Sequence, residues 1–536
     1  MDEVPGIIPA PVKYARKPGT VEITSDTRIV TNEESGQAGI FLKNLLDPVS
    51  NFSIPVENDA RVRPEPGIIT IQLDPGNATR SSDAYSLKIT QQEGFTIAAA
   101  TPQGTFYGVQ TLRHLLPAAI ERSSTNERED KWTIPCVEIE DWPRFSWRGF
   151  MLDVGRHFVE KETIKKIIDV MTCLKMNVFH WHLTEDQGWR IEIKNYPNLA
   201  EIGSKRKNTQ VGGYISPKMS GKPHEGYYSQ DDAREIVAYA SERFITVIPE
   251  IEMPGHSKAM IAAYPELSCT GGPFEVPTKF GIMKDVLCPG KDTTFDFVDK
   301  VLDEVLDIFP SKVIHVGGDE TPRDRWKKCP DCQKRIKTEN LKDVHALQTY
   351  FSNRVARMLD AKGRTVMGWN EILAADLLPG AIVQFWKGGT KQILNHAPKG
   401  RKFVMSAFFH LYLDHDYVLL PLSTTYNYDP VPRDLPEQYH DNILGIEVPL
   451  WTEWVRDEHR LYWQLFPRLL AAAEVGWTCK ENKNFTRFKQ RVPIFYERLI
   501  EKGIGFAPLD RTDRSKLRAP LSILHLFFEP RIPKSY

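Results

Sequence analysis

The chain has 536 residues, of which 41% are hydrophobic and 26% are charged, and its formal net charge at pH 7 is −1. This composition is typical of a globular domain, and the near-zero charge excludes long-range attraction to nucleic acid or to an anionic membrane. The length predicts one barrel-sized domain and a smaller one, and no apolar run approaches the roughly 20 residues of a transmembrane helix.

The first part of the chain predicts a small α+β domain. Alternating or β-branched runs predict strands at residues 20–23, 68–71, 84–89 and 95–99. Apolar residues at helical spacing predict a helix over residues 104–116. We expect a linker at residues 141–144, so that this domain comprises residues 1–142.

From Phe145 onward, apolar strands alternate with amphipathic helices. The predicted strands are residues 148–154, 178–183, 246–252, 313–316, 365–368, 382–386, 403–406 and 444–450. The predicted helices include residues 161–174, 231–243, 294–308 and 344–361. Eight strands with intervening helices predict a (β/α)8 barrel over residues 143–510. An open doubly wound sheet would also alternate, but the first strand has no glycine-rich phosphate loop after it. A last helix is expected over residues 485–502, and residues 511–536 form a tail to which we assign no role.

Two neighbouring acids, Asp319 and Glu320, follow the fourth of these strands and a glycine pair. Adjacent carboxylates in one site repel, so one of them tends to hold a proton near neutral pH, as a general acid must. The ends of the other strands carry further acids, one arginine and several tryptophans. Carboxylates and arginine bind hydroxyls, while indole faces stack on sugar rings, so the set predicts a carbohydrate site. A single tryptophan is more often core than ligand, but three at separate strand ends favour binding.

Four segments then carry a resemblance to a known family. Residues 148–158, 180–190, 249–256 and 315–320 resemble, in order, the barrel motifs of family 20 β-N-acetylhexosaminidases. The N-terminal domain is also similar to the one that precedes the catalytic domain there. The resemblance implies an exo-acting, retaining enzyme that removes terminal β-linked GlcNAc or GalNAc, with no metal or organic cofactor.

The same resemblance implies substrate-assisted catalysis, in which the 2-acetamido oxygen attacks its own anomeric carbon to form an oxazolinium-like intermediate. Glu320 would protonate the leaving oxygen and later activate water, and Asp319 would hold the acetamide N–H. Tyr412 would donate to the acetamido oxygen. His256 would steer Glu320, and Glu252 would orient the imidazole.

The resemblance also implies how the sugar is held. Trp369, Trp386 and Trp451 would wall the acetamido pocket. Arg156 would bind the 3- and 4-hydroxyls with Glu185 as its partner, and Asp414 and Glu453 would read the 4- and 6-hydroxyls. Two departures stand out: Glu185 replaces the aspartate of many members, and residues 445–450 are less typical of the family.

The seven cysteines include Cys329 and Cys332 in a CxxC spacing. No second CxxC or HxxxH completes a zinc site, and no thioredoxin-like unit surrounds the pair, so a local disulfide or two free thiols is favoured over zinc. Cys269 and Cys288 flank a loop that a disulfide could close, which would indicate an oxidising compartment. Because the first residues lack a signal-peptide pattern, we expect either a cytosolic protein or a mature secreted, periplasmic or lysosomal form with a new initiator methionine, and favour the latter.

Three alternatives remain at this stage. His180 and His182 form an H-x-H that binds zinc in amidohydrolase barrels, but the other ligands are not found in position, and packing at the barrel mouth is favoured. A non-catalytic sugar-binding protein would require loss of the acid pair, which is intact. A transglycosylase would use the same residues.

Overall fold

The computed structural model describes residues 6–59, 61, 63–74, 81–124, 131–374 and 377–513. The N-terminal domain is a seven-stranded sheet in the order β1-β7-β5-β6-β4-β2-β3 with two helices. Its strands are β1 (Lys13–Glu22), β2 (Arg28–Thr31), β3 (Val56–Asn58), β4 (Ile68–Leu73), β5 (Tyr85–Thr90), β6 (Gly94–Ala99) and β7 (Thr133–Asp141). Its helices are α1 (Gly36–Ser50) and α2 (Pro102–Leu115).

Local sequence explains these elements. The residues of β5 alternate between buried and half-buried, as expected for a strand with one face on a core. Helix α2 begins with Pro102 after Thr101, whose side chain accepts a hydrogen bond from the Gly104 amide. Both helices bury apolar residues, including Leu42 and Phe106, in the core that the sheet lines.

The larger, second domain is a closed barrel of eight parallel strands. These strands are β8 (Trp147–Asp153), β9 (Val178–His182), β12 (Thr246–Glu250), β13 (Val313–His315), β14 (Thr365–Trp369), β15 (Ile382–Phe385), β16 (Lys402–Met405) and β17 (Ile443–Leu450). A two-stranded hairpin, β10 (Thr184–Glu185) and β11 (Gly188–Trp189), projects after β9. Strands β8 and β9 are buried along their whole length, as in a sheet covered on both faces.

Helices surround the barrel and fill its loops. They are α3 (Lys161–Cys173), α4 (Asn198–Glu201), α5 (Gln230–Ser241), α6 (Lys258–Ala263), α7 (Asp292–Ile308), α8 (Pro330–Thr338), α9 (Val344–Ala361), α10 (Lys391–His396), α11 (Phe408–Leu411), α12 (Leu422–Tyr426), α13 (Glu458–Leu465), α14 (Arg468–Trp477) and α15 (Phe485–Glu501). Within the described residues, no helix is long and apolar enough to cross a membrane.

Buried charges join the two domains. Arg148 of β8 donates to Asp83 of the N-terminal domain at 2.9 Å, and Lys175 donates to Asp141 at 2.8 Å. Trp477, at the end of α14, belongs to the core of the N-terminal domain and donates to Asp141 at 3.0 Å. The barrel and the N-terminal domain are therefore fastened by ion pairs that water does not reach.

The predicted fold class is confirmed, and every predicted barrel strand overlaps an observed one. In the N-terminal domain the sequence reading missed α1, β2, β3 and β7, and it placed β1 late. The boundaries 1–142 and 143–510 stay predictions, and most of the predicted tail, residues 514–536, lies outside the described residues.

Neither of the two possible disulfides is formed, and Cys329 and Cys332 are free thiols, which was the alternative for that pair. All seven cysteines lie in the described part of the chain, and each is a free thiol there. The fold brings Cys269, Cys288, Cys329 and Cys332 into a single cluster, in which each predicted pair has the sulfurs of the other pair as neighbours.

Candidate active site

A cavity of about 350 Å³ opens at the carboxyl ends of the barrel strands. Most of the residues predicted for the site line it, namely Arg156, Glu185, His256, Asp319, Glu320, Trp386, Tyr412, Asp414, Trp451 and Glu453. Two predicted residues, Glu252 and Trp369, are buried at 1% exposure and do not line the cavity. The strands thus gather side chains from seven separate motifs around one small space.

The acid pair is delivered by the turn after β13. Gly317 and Gly318 adopt φ values of 64° and 95°, which favour glycine. A Cβ on Gly317 would lie 1.7 Å from Glu252 Oε2, so any side chain there would clash with a buried carboxyl group. Glu320 itself has a left-handed φ of 42°. The turn is therefore constrained by packing, and it points both acids into the cavity.

Asp319 and Glu320 lie beside the same imidazole nitrogen. Nε2 of His256 is 3.7 Å from Asp319 Oδ2 and 3.9 Å from Glu320 Oε2. Asp319 is buried, whereas the Glu320 side chain is 30% exposed. Burial, opposed by the charge of His256, raises the pKa of Asp319 from 3.8 to about 6. Asp319 therefore carries its charge above about pH 6, and Glu320 remains open to an incoming group.

His256 is held from its other side by Glu185. Nδ1 of His256 lies 2.7 Å from Glu185 Oε1 and 3.5 Å from Asp186 Oδ2. Although burial opposes the charge, the carboxylates of Glu185 and Asp319 raise the pKa of His256 well above its usual value. A protonated His256 donates one N–H to Glu185 and directs the other at Asp319 and Glu320.

The prediction that Glu252 orients this imidazole is wrong, because Glu185 occupies that position. Glu252 lies instead behind the turn, against Gly317. Burial and the charges of Asp319 and Glu250 raise the pKa of Glu252 well above its usual value. Both oxygens of Glu252 are buried without a hydrogen-bond partner among the described residues, so Glu252 supports the turn by packing and does not hold the imidazole.

Arg156 completes a chain of charges with Glu185. Its guanidinium lies 3.1 Å from Glu185 Oε2, 3.4 Å from Asp153 Oδ2 and 3.9 Å from Glu453 Oε1. It also lies over the Trp451 ring at 4.9 Å from the centroid. The predicted Arg156–Glu185 partnership is present, and Glu185 therefore bridges Arg156 and His256.

Aromatic rings form one wall. Trp386 and Tyr412 stack nearly parallel, with centroids 6.1 Å apart and 21° between planes, and Trp451 lies 6.3 Å from Tyr412. Trp369 lies beneath them, 5.7 Å from Trp451, and its indole N–H donates to Glu250 at 3.0 Å. Trp386 donates to Glu371 at 3.0 Å, which fixes its ring plane. The wall is two tryptophans and a tyrosine, with a third tryptophan as its support.

Two profiles of one known protein family match this chain. The profile described as "Glycosyl hydrolase family 20, catalytic domain" matches residues 145–480, and "Glycosyl hydrolase family 20, domain 2" matches residues 4–142. The chain belongs to glycosyl hydrolase family 20. The family and the class of enzyme predicted from the four barrel motifs, a family 20 glycoside hydrolase, are confirmed.

Named relatives agree with the family. A β-hexosaminidase of Porphyromonas gingivalis is 41% identical over 93% of this chain, which spans 64% of that protein's length. A β-hexosaminidase of Akkermansia muciniphila is 34% identical over 82% of this chain and 91% of its own. A mutant Streptomyces plicatus β-hexosaminidase, solved in complex with its product GlcNAc, has a TM-score of 0.81 and 32% identity, covering 95% of this chain and 98% of that one.

The H-x-H pair of this family 20 chain serves a buried ionic network. His180 lies between Glu447 and Glu250, at 2.7 and 3.0 Å, and His182 bonds to Glu250. His315 also contacts Glu250, at 2.6 Å. The carboxylates outweigh burial and raise the pKa of His180 to about 9 and of His182 to about 10. Both imidazoles of the pair are therefore engaged by buried carboxylates, and the family that the chain matches is a glycosyl hydrolase family and not an amidohydrolase one.

The rim of the family 20 site includes residues that the sequence reading missed. Tyr214, from the loop after α4, donates to Glu453 at 3.0 Å. Lys387 lies 2.7 Å from Glu371 and 3.7 Å from Glu320. Tyr214 follows no barrel strand, so the strand pattern gave no signal for it, whereas Lys387 directly follows the predicted residue Trp386 at the end of β15. Burial and Glu453 raise the pKa of the predicted residue Asp414 to about 8.

Proposed function

We propose that the protein is an exo-acting, retaining β-N-acetylhexosaminidase that removes terminal non-reducing β-linked GlcNAc or GalNAc by substrate-assisted catalysis. The observation that carries the proposal is the pair Asp319 and Glu320, both within 4 Å of one nitrogen of His256. The names of the relatives and the GlcNAc bound to the Streptomyces enzyme support the class of sugar.

The position of the pair argues against a conventional mechanism. Most retaining glycosidases use two carboxyl groups about 5 Å apart that flank the scissile bond, one as acid and one as nucleophile. Asp319 and Glu320 are chain neighbours on one side of the site and face a shared imidazole. Because both acids lie on the side of His256, they do not flank the scissile bond as an acid and a nucleophile would, and the 2-acetamido group of the substrate serves as the nucleophile.

Each of the site's polar side chains then has a role in one step of the hydrolysis. The acetamido oxygen attacks the anomeric carbon while Glu320 gives its proton to the departing glycosidic oxygen. Asp319, ionised above about pH 6, accepts a hydrogen bond from the acetamide N–H and balances the positive charge that develops there. Tyr412 donates to the acetamido oxygen. A water molecule, deprotonated by Glu320, then attacks the anomeric carbon and opens the oxazolinium-like ring. The configuration at the anomeric carbon is therefore retained overall.

The wall formed by Trp386, Tyr412 and Trp451 prepares this attack. Flat rings on the sides of the acetamido group restrict its rotation, so that its oxygen stays near the anomeric carbon. The indole of Trp386 is itself fixed by Glu371, and Trp451 by Arg156 above its ring. The pocket thus makes the acetamido group an ordered nucleophile before the bond breaks.

The charged end of the cavity restricts cleavage to sugars at the non-reducing end of a glycan. Arg156, Glu185, Asp414 and Glu453 provide charged groups for the 3-, 4- and 6-hydroxyls of a terminal sugar. The cavity of about 350 Å³ is near the lower limit of ligand pockets, about 300 Å³, and suits one sugar residue. A chain extended at the 3- or 4-hydroxyl would meet these side chains.

The test compares nitrophenyl N-acetyl-β-glucosaminide, nitrophenyl N-acetyl-β-galactosaminide and nitrophenyl β-glucoside with the purified chain. Turnover of the first two and not the third would support the need for the acetamido group. Equal turnover of the glucoside would contradict the proposed nucleophile, and no turnover of any would contradict the proposed activity. Product analysis with a second sugar present would detect transglycosylation.

A further inference from the structure

Away from the cavity, four cysteines meet in one small apolar cluster. Within the described residues, one ligand atom from each of Cys269, Cys288, Cys329 and Cys332 lies within 4.8 Å of the others. Cys288, Cys329 and Cys332 are buried, and Cys269 is partly buried. Val286, Trp326, Val344 and Leu347 pack around them. Four thiols turned toward one point in an apolar shell form a set that neither predicted disulfide explains.

The spacing of the sulfurs is that of a metal-centred tetrahedron. Sγ of Cys288 lies 3.5 Å from that of Cys332 and 3.7 Å from that of Cys329, and Sγ of Cys269 lies 3.7 Å from that of Cys332. A tetrahedral zinc with Zn–S bonds of about 2.3 Å has S···S edges of about 3.8 Å. A disulfide requires about 2.05 Å. The three separations of 3.5–3.7 Å match edges of such a tetrahedron, and all four sulfurs lie within 4.8 Å of one another.

The cysteines arrive from two directions, as in a zinc knuckle. Cys269 and Cys288 follow two segments that pair through an antiparallel bridge between Ser268 and Leu287. The Cys288 amide donates to Leu267 at 2.8 Å. On the other side, Cys329 precedes α8 as its N-cap residue and Cys332 lies in its first turn. The partially positive start of a helix favours thiolates over thiols.

The backbone around the cluster leaves little freedom. A Cβ on Gly290 would lie 2.3 Å from the Cys332 backbone nitrogen, so the two halves of the cluster touch directly. Trp326 donates from its indole nitrogen to Leu287 at 3.0 Å, and Gln333 donates to Trp326 at 2.9 Å. The four sulfurs are therefore held in place by both halves before any metal arrives.

We propose that Cys269, Cys288, Cys329 and Cys332 bind one Zn²⁺ as a closed structural site. Four sulfur ligands in a tetrahedron with no open position are typical of structural zinc, and soft thiolates select zinc over calcium or magnesium. Binding releases the four thiol protons to solvent. The sequence argument against zinc sought a second CxxC, whereas the fold supplies the other two ligands from a bridged loop.

The site would clamp two loops that support the acid pair. Cys269 and Cys288 belong to the segment after α6, which follows His256. Cys329 and Cys332 end the segment that begins at Glu320. Between these segments Arg325 donates to Asp285 at 2.7 Å, and Lys258 donates to Asp285 at 3.0 Å. Zinc would fasten both loops without contacting the substrate.

The first test is metal content of the full chain, purified without a metal-binding tag and without chelator, by plasma mass spectrometry. We expect about one zinc per chain, released in parallel with titration of about four thiols by a mercurial reagent. Replacement of zinc by Co²⁺ in the wild-type protein should give the intense visible absorption of tetrahedral sulfur coordination. That readout needs neither a variant nor activity.

Variants locate the metal. Cys329→Ser with Cys332→Ser should lose at least about tenfold in zinc content, whereas the control Cys479→Ser, a partly buried thiol outside the cluster, should keep it. Folded, reduced protein that contains no zinc and takes up none when Zn²⁺ is added would overturn the proposal. So would disulfides among the four cysteines in a peptide map, or iron in place of zinc. Because activity is measured in parallel, loss of zinc binding and failure of the proposed hydrolysis remain distinguishable.

Discussion

His256 and Glu320 share a left-handed backbone conformation, with φ values of 43° and 42°, and their side chains meet at 3.9 Å between Nε2 and Oε2. Residues other than glycine rarely adopt such angles, and each costs on the order of 1 kcal/mol or more. This strained backbone conformation directs both side chains to the same point of the cavity. Strain at two facing positions is typical of a functional site held by its surroundings.

Glu320→Gln should abolish acid catalysis and leave binding intact. Because a glutamine cannot transfer the proton, kcat for a chitobiose-like substrate should fall by about 10²–10⁴. A dinitrophenyl glycoside, whose leaving group needs little protonation, should lose much less in the first step. The measurement is kcat for a series of leaving groups, and a uniform loss across the series would contradict the role.

Asp319→Asn should stabilise the protein above pH 6. The folded-state pKa of Asp319 is raised from 3.8 to about 6, so the folded state binds a proton between these values that the unfolded state does not. Stability from this group therefore rises as pH falls from about 6 toward 3.8, and above pH 6 the charged form costs about 3 kcal/mol. Melting temperatures at pH 4 and pH 8 should show a gain for Asp319→Asn at pH 8 only. The exposed Asp434→Asn is the control and should show no gain at either pH.

The same residue should set the acid limb of activity. Since Asp319 acts as a carboxylate, kcat/KM of the wild type should fall about tenfold per pH unit below about pH 6. In Asp319→Asn, activity should be low and that limb should disappear. An unchanged limb in the variant would assign the titration to another group.

Glu185→Gln should affect binding and protonation together. Removing the charge between Arg156 and His256 should lower the pKa of His256, because the Glu185 carboxylate raises it. KM should rise as Arg156 loses its partner at 3.1 Å, and the basic limb of the pH profile should move to lower pH. Glu185→Asp keeps the charge and should restore the pH limb more than it restores KM. If both limbs and KM stay unchanged in Glu185→Gln, the bridge has no function.

Tyr214→Phe should weaken binding of the 4- and 6-hydroxyls of the substrate's terminal sugar by Glu453. The Tyr214 hydroxyl donates to Glu453 at 3.0 Å, and losing a hydrogen bond to a charged group costs about 1.5–3 kcal/mol when buried, less here since Tyr214 is 41% exposed. We expect kcat/KM to fall about threefold to tenfold, with kcat nearly unchanged. Tyr227→Phe, at 44% exposure, is the matched control and should leave both constants alone.

Barrel strands and the acid pair were readable from sequence because both depend on local pattern. Strands buried on both faces appear as apolar runs, and Asp319 and Glu320 are neighbours in the chain. The partner of His256 was not readable, because Glu185 and Glu252 are both acids near the same strand ends and only the hairpin β10–β11 brings Glu185 to Nδ1. The cluster of four cysteines was not readable for the same reason, since thiols from two separate loops meet only in the folded structure.

The ion pairs between the domains have a consequence for how the chain can be divided. Arg148 and Lys175 belong to the barrel, yet their carboxylate partners, Asp83 and Asp141, belong to the N-terminal sheet. A truncation that removes the sheet would take away both carboxylate partners, and a cation that stayed buried without its partner would cost about 3–5 kcal/mol. The stability of the barrel thus depends on the N-terminal domain, and the two domains should unfold together in one cooperative transition.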